Sequence, residues 1–268
     1  LMLWLYDNKA DTLGTWASIN TSDPSFPPAN LQNFLAAKVW RSGAAVALER
    51  LTLDLGAATS PAVKWYLVLH AHNFSSVLTG DVTVEGHTSN SWGSPTFSDT
   101  IPAAEWGSGT AYLEISATYA GLRWWRISMT KSNAANLLQI GRASLGPGVL
   151  TDTSGDPDLS SLERATAELV NRDSSVLGQV YAEQRAQFYR IKGKVSAMPE
   201  ATAAQLRTIW ETVGTWKPFF LLVYPDGWPT DTWGTPYYVH LSSPPTEPLR
   251  GYGAGWLWDV PMSFEEQL

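Results

Sequence analysis

Cysteine is absent from the 268 residues, which excludes disulfides and thiolate metal sites and suits a chain assembled in a reducing cytoplasm. Charge is scarce too: 16% of residues are Asp, Glu, Lys or Arg, against the usual quarter. The formal net charge is −7 and no run of Lys or Arg occurs. Without a basic patch to neutralise phosphates, nucleic acid is not an expected partner. No apolar run approaches the ~18 residues that cross a bilayer. The opening LMLWLYDNKADT carries Asp7 and Asp11 and lacks the basic head and apolar core of a signal peptide. Neither membrane insertion nor a cleaved leader is expected. The phosphate-binding patterns GxxxxGK[ST] and GxGxxG and the nucleophile elbow GxSxG are all missing. The chain reads as a non-enzyme without cofactor or metal.

What the chain holds instead is apolar and aromatic. Hydrophobic residues make up 44%, enough for a sizeable core, and 14 residues are Trp. Low charge with abundant indole suits a surface that meets other surfaces, because interface cores are poor in charge and rich in aromatics. Residues 51–55, LTLDL, alternate apolar and polar as a half-buried strand does. After Gly56 and Pro61, residues 65–70 form a dense apolar run, expected of a strand covered on both faces. Short strands are expected again at 82–86, 111–116, 122–129 and 137–145. Turn residues separate them and no long helix intervenes, which is the rhythm of a sandwich or jelly roll. Residues 1–20 read as one or two edge strands, and a single helical turn is expected from Pro28.

The order Trp40-Arg41-Ser42, LTLDLG (51–56), the strand ending at His72-Asn73, VTVEG (82–86), LRWWRISM (122–129) and LQIGRASLG (138–146) carries a resemblance. Over residues 20–148 it resembles the discoidin (F5/8 type C) family of galactose-binding-like jelly rolls, without the terminal cysteine pair of extracellular members. The resemblance implies a galactose-binding-like β-sandwich over 1–149. A linker rich in Asp, Ser and Gly follows at 150–161.

From 162 to 268 the spacing predicts a β-rich (α+β) module, with strands near 162–171, 176–181, 187–195, 216–224, 237–242 and 256–266. One helix is expected over 199–213: Ala201, Leu206, Ile209, Trp210 and Val213 recur at helical spacing between Pro199 and Gly214. A strand ending in GKV, the helix, PFFLLVYPD, YVHL and the closing WLWDVPMSFEE resemble minor tail and baseplate proteins of long-tailed bacteriophages. That resemblance implies a structural virion component of the tail tip, assembled in the host cytoplasm. Its implied partners are other tail proteins, further copies of itself in a trimer or hexamer, and host surface glycans. The alternative is a carbohydrate-binding module whose main work is glycan recognition.

Candidate residues follow from these readings. Trp92 and Trp106 lie in loops rich in Ser, Gly and Pro, either as exposed rings for sugar or protein contact or as rings folded back over the sandwich end. Asn73, at the rim, joins them as a polar candidate. Trp216, Phe219, Trp228, Trp233, Trp256 and Trp258 are candidates for subunit contact. His70 and His72 share a strand side, but no third ligand is near in sequence, and His87 and His240 are isolated. Asp152, Asp156 and Asp158 fail the calcium-loop spacing and read as solvated linker. Asp226 and Asp231, beside Trp228 and Trp233, read as turn residues rather than as a glycosidase pair.

Overall fold

The computed structural model describes residues 2–20, 22–44, 46–58, 63–106, 109–150, 163–174, 180–223, 235–244, 249–252 and 255–267. The chain is mainly β and divides into two compact units, Leu3–Val149 with Phe220–Pro236, and Leu150–Phe219 with Tyr237–Leu268 and the first two residues.

The elements of the first unit are β1 (Met2–Leu5), α1 (Lys9–Thr12), β2 (Thr15–Ser18), β3 (Trp40–Arg41), β4 (Leu48–Asp54), β5 (Trp65–His70), α2 (Phe74–Val77), β6 (Val82–His87), β7 (Phe97–Ile101), β8 (Thr110–Ile115), β9 (Trp124–Thr130), β10 (Gln139–Ile140), β11 (Arg142–Pro147) and β12 (Val149–Leu150). A five-stranded antiparallel sheet, β2-β4-β9-β6-β7, faces a three-stranded one, β11-β5-β8. This two-sheet sandwich is consistent with the galactose-binding-like expectation. Alternation decides which side chains enter it. On β4 Leu51 and Leu53 point in, on β6 Val82 and Val84, on β9 Trp125, Ile127 and Met129, and all are buried. With Trp40, Trp65, Leu67 and Leu69 they form one continuous core. Burial along β5 is unbroken from Trp65 to Leu69, as expected of a strand covered on both faces.

Two expectations change. The apolar start is not an edge: β1 is buried at all four residues and lies between β12 and the strand at Phe219–Val223. Of the two strands within residues 2–20, β2 alone lies at a sheet edge. The single strand expected over 137–145 is two, broken at Gly141. A Cβ there would run into the Ala36 carbonyl oxygen, so the chain needs glycine where it crosses that loop.

One ion pair lies wholly inside this unit. The Lys131 and Glu49 side chains are both 0% exposed, with Nζ 3.1 Å from Glu49 Oε1. Lys131 Nζ also donates to the Gly43 and Ala134 carbonyls, at 2.8 and 3.0 Å.

The second unit contains β13 (Glu163–Ser174), β14 (Val180–Met198), α3 (Glu200–Val213), β16 (Tyr237–Leu241), β17 (Leu249–Tyr252) and β18 (Gly255–Glu266), with β15 (Phe219–Val223) preceding β16 in the chain. Its antiparallel sheet runs β16-β18-β14-β13, with β17 also paired to β18. The expected helix is present. Ala203, Leu206, Ile209 and Val213 form its buried stripe, and Gly214 at φ +56° ends it in a conformation that side chains resist. Phe219, offered as a subunit contact, is a core residue instead: it is buried and meets Phe264 edge-on, with centroids 6.2 Å apart.

Candidate functional site

The outward side of the five-stranded sheet is set by the same alternation that fills the core. With Trp125 and Ile127 inside, Trp124 and Arg126 must point out. Strand register then brings distant residues to them. Trp124 stands between Asp54 on β4 and His87 on β6, and Arg126 between Thr52 and Glu85. The other outward residues of β4, β6 and β9 are Arg50, Thr52, Thr83, Ser128 and Thr130, all polar, with Leu48 at the start of β4.

Two Trp–Arg–carboxylate triplets result. In the first, Arg123 grips Asp54 with a two-pronged fork, Nε to Oδ1 at 2.7 Å and Nη2 to Oδ2 at 2.9 Å. Its guanidinium carbon lies 5.2 Å from the Trp124 ring centroid. The hydrogen bonds from Arg123 hold the Asp54 carboxyl below the usual carboxylate range and raise the guanidinium in turn. Asp54 therefore stays ionised, and the fork intact, until the pH falls through that lowered value.

In the second triplet, Arg126 Nε and Nη2 both reach Glu85 Oε2 at 2.7 Å, and Oε1 accepts from no group among the described residues. The Arg126 guanidinium lies 4.6 Å from the Trp92 centroid. The loop that delivers Trp92 is built to hold it: His87 Nδ1 accepts from the Ser89 amide at 2.9 Å, and Trp92 Nε1 donates to Asn90 Oδ1 at 2.8 Å. Each triplet offers a fixed, half-exposed indole face, an oriented carboxylate and a guanidinium whose charge is already neutralised. That set suits a ligand with one apolar face and several hydroxyls.

Trp106 is elsewhere. Strand β7 separates its loop from that of Trp92, so the two rings lie at opposite ends of the sandwich. Trp106 is 5% exposed and meets Phe74 edge-on, with centroids 5.6 Å apart, so it cannot serve as an exposed platform. Asn73 is at that far end too, and both of its amide atoms are spent on backbone: Nδ2 donates to Leu137 O and Oδ1 accepts from the Gln139 amide, each at 2.9 Å.

His70 and His72 do not form a metal pair. His70 Nδ1 lies 2.7 Å from Thr110 Oγ1, while His72 stacks on Phe74 at 3.8 Å. Burial pushes both down to about 4, so both are neutral near pH 7. Among the described residues, no group of three His, Cys, Asp or Glu is placed to hold a metal. His87 belongs to the Trp92 loop, and His240 lies 3.9 Å from Glu265.

In the second unit, Trp216 is 71% exposed and precedes β15 rather than lying in it. Trp258 is half-buried, its Nε1 bonded to Glu200 and its ring under Arg207, with Cζ 4.9 Å from the centroid. Trp228, Trp233, Asp226, Asp231, Asp152, Asp156, Asp158 and the Trp256 side chain lie outside the described residues. Sequence reasoning missed Arg123, Arg126, Asp54 and Glu85. The available signal was the run Arg123-Trp124-Trp125-Arg126, which puts Arg123 next to the outward Trp124 and Arg126 on the same strand face as it.

With this fold and face in view, the chain can be set beside known proteins. No family model matches it, and no characterised protein sequence does. Similar solved structures include the lectin domain of lectinolysin complexed with Lewis B antigen, at 9% identity and TM-score 0.42, covering 53% of this chain and 96% of that one. The family 32 carbohydrate-binding module of C. perfringens NanJ in complex with galactose aligns at 9% identity and TM-score 0.38, covering 54% and 98%. A Ruminococcus gnavus GH29 fucosidase aligns at 12% identity and TM-score 0.40 over 53% of this chain. The similarity spans only 27% of that fucosidase's length.

Proposed function

We propose that this chain is a non-catalytic binding protein whose first unit recognises carbohydrate on the outward face of its five-stranded sheet. The observation that carries the reading is the pair of Trp–Arg–carboxylate triplets on the outward face of the sheet. Sugar rings have C–H faces that stack on indole and hydroxyls that pair with carboxylate and guanidinium at the rim. Carbohydrate is also the ligand of the lectin domain and the family 32 module, but the reading rests on the face itself. Titration of the full chain with a glycan panel, followed by Trp fluorescence and calorimetry, is expected to give saturable binding. Trp124→Ala is expected to weaken it about tenfold or more, the ~1–2 kcal/mol of a central aromatic contact. An unchanged affinity in that variant would remove the face from the site.

A second reading, a structural subunit of a bacteriophage tail tip that joins further copies and other tail proteins, is favoured by Trp216. An indole 71% exposed beside α3 and β15 is a natural anchor for an oligomeric contact. Light scattering after size exclusion is expected to give a trimer or hexamer that dissociates in Trp216→Ala. A monomer at every concentration, alone or mixed with tail proteins, counts against this reading.

A further inference from the structure

We infer that the two triplets form adjacent subsites for a neutral glycan chain of at least two sugar residues, and that they discriminate against acidic sugars. This rests on the reading of the face as a carbohydrate site and adds the class of ligand.

Charge is the first argument. The Arg123 guanidinium is neutralised by Asp54, and the Arg126 guanidinium by Glu85. Each triplet is therefore uncharged as a whole, and the Glu85 Oε1 left over accepts a hydroxyl proton while repelling a carboxylate or sulfate. Arg50, the other cation on the outward side of β4, belongs to the next residue pair, opposite Ser128 and beyond the Thr52–Arg126 pair.

Spacing is the second argument. Trp124 and Arg126 are two residues apart on one strand face, ~7 Å at the backbone. Trp92 rests over Arg126 and the Trp124 ring lies against Arg123. Each triplet would then take one sugar ring, and neighbouring rings of a chain would reach both. Fixed positions of both rings then make the second sugar contribute through an already ordered surface.

The test is calorimetric titration of the full chain with gluco-, manno- and N-acetylglucosamine hexaoses, the matching monosaccharides, hexagalacturonate and a sialylated hexasaccharide. The expected result is binding of at least one neutral hexaose at least tenfold tighter than its monosaccharide, with no detectable binding of the acidic probes. That affinity should fall about tenfold in both Trp92→Ala and Trp124→Ala, with a single cooperative thermal transition retained in each as the folding control. Glu85→Gln and Asp54→Asn each leave a guanidinium uncompensated, so both should gain affinity for hexagalacturonate, a readout that lost folding would not produce. Wild-type binding of an acidic probe as tight as the best neutral one, abolished by Trp124→Ala, overturns the inference while leaving carbohydrate recognition standing. Equal affinity for hexaose and monosaccharide overturns the paired subsites. Binding of no probe at millimolar concentration overturns the inference together with the reading beneath it.

Discussion

Replacing Lys131 with methionine is expected to destabilise the sandwich by about 3–5 kcal/mol at neutral pH, the usual cost of stripping one partner from a buried ion pair. Lys131 does two things at once in the interior. Its ammonium joins the segment at Gly43 to the one at Ala134 through their carbonyls, and it is the counterion of a Glu49 with no access to water. Burial already holds the Glu49 carboxyl above the usual range, against the neighbouring Lys131 ammonium, which pulls it down. Without the lysine the carboxyl must either stay ionised and unpaired or take up a proton at neutral pH.

The pH dependence has a definite sign. A carboxyl whose folded pKa is raised favours the folded state at pH values below its unfolded pKa. That contribution fades as the pH rises through the folded value. The Lys131→Met deficit should therefore shrink as the pH is lowered toward the ordinary glutamate range, where Glu49 is protonated with or without its partner. The double variant Glu49→Leu, Lys131→Met should recover most of the loss, because it removes the charge along with the need for a counterion. Urea titrations at pH 7 and pH 5 give both numbers. A cost below about 1 kcal/mol, or one that does not vary with pH, would show that the pair is not held as described.

The second large effect separates two tryptophans. Trp106→Ala is expected to cost about 3–5 kcal/mol, because a buried ring packed on Phe74 leaves a cavity that the sandwich end cannot refill. Trp92→Ala is expected to cost less than about 1 kcal/mol, as for a partly exposed side chain held by a loop hydrogen bond and a cation–π contact. Thermal or chemical unfolding of the two variants side by side checks this, and equal costs would contradict the placement of one ring inside and the other on the face.

Those two residues show where the sequence was legible and where it was not. Both sit among Ser, Gly and Pro, and nothing within ten residues of either distinguishes them. What separates them is strand β7, which carries the chain from one end of the sandwich to the other, and a turn at Phe74 that closes over only one of the rings. The strands were legible because alternation is a local property: the readings at 51–55, 82–86 and 122–129 each overlap an observed strand, Leu48–Asp54, Val82–His87 and Trp124–Thr130. Helix α3 was legible for the same reason, with its stripe and its ends all within sixteen residues.

The candidate site was not, because its carboxylates come from other strands. Asp54 is 69 residues from Arg123, and Glu85 is 41 from Arg126. Arg-Trp-Trp-Arg announces cations beside an indole, but only the register of β4 and β6 on β9 says that each has an acid waiting. The start of the chain misled in a similar way. LMLWL looks like an edge strand because its flanking partners, near residues 149 and 220, cannot be inferred from its own composition.

That arrangement of β1 has a consequence for how the protein is made. The strand is synthesised well before one neighbour on which its backbone hydrogen bonds depend, Phe219–Val223, which lies more than 200 residues further along the chain. The two facing sheets can condense once β11 is out, but the pairing of β1 with Phe219–Val223 must wait while the intervening chain is synthesised. During that interval Met2, Leu3 and Trp4 are uncovered apolar surface on a nascent chain, the kind of segment that chaperones bind, and Phe220, which will lie edge-on to His70, has not yet been added.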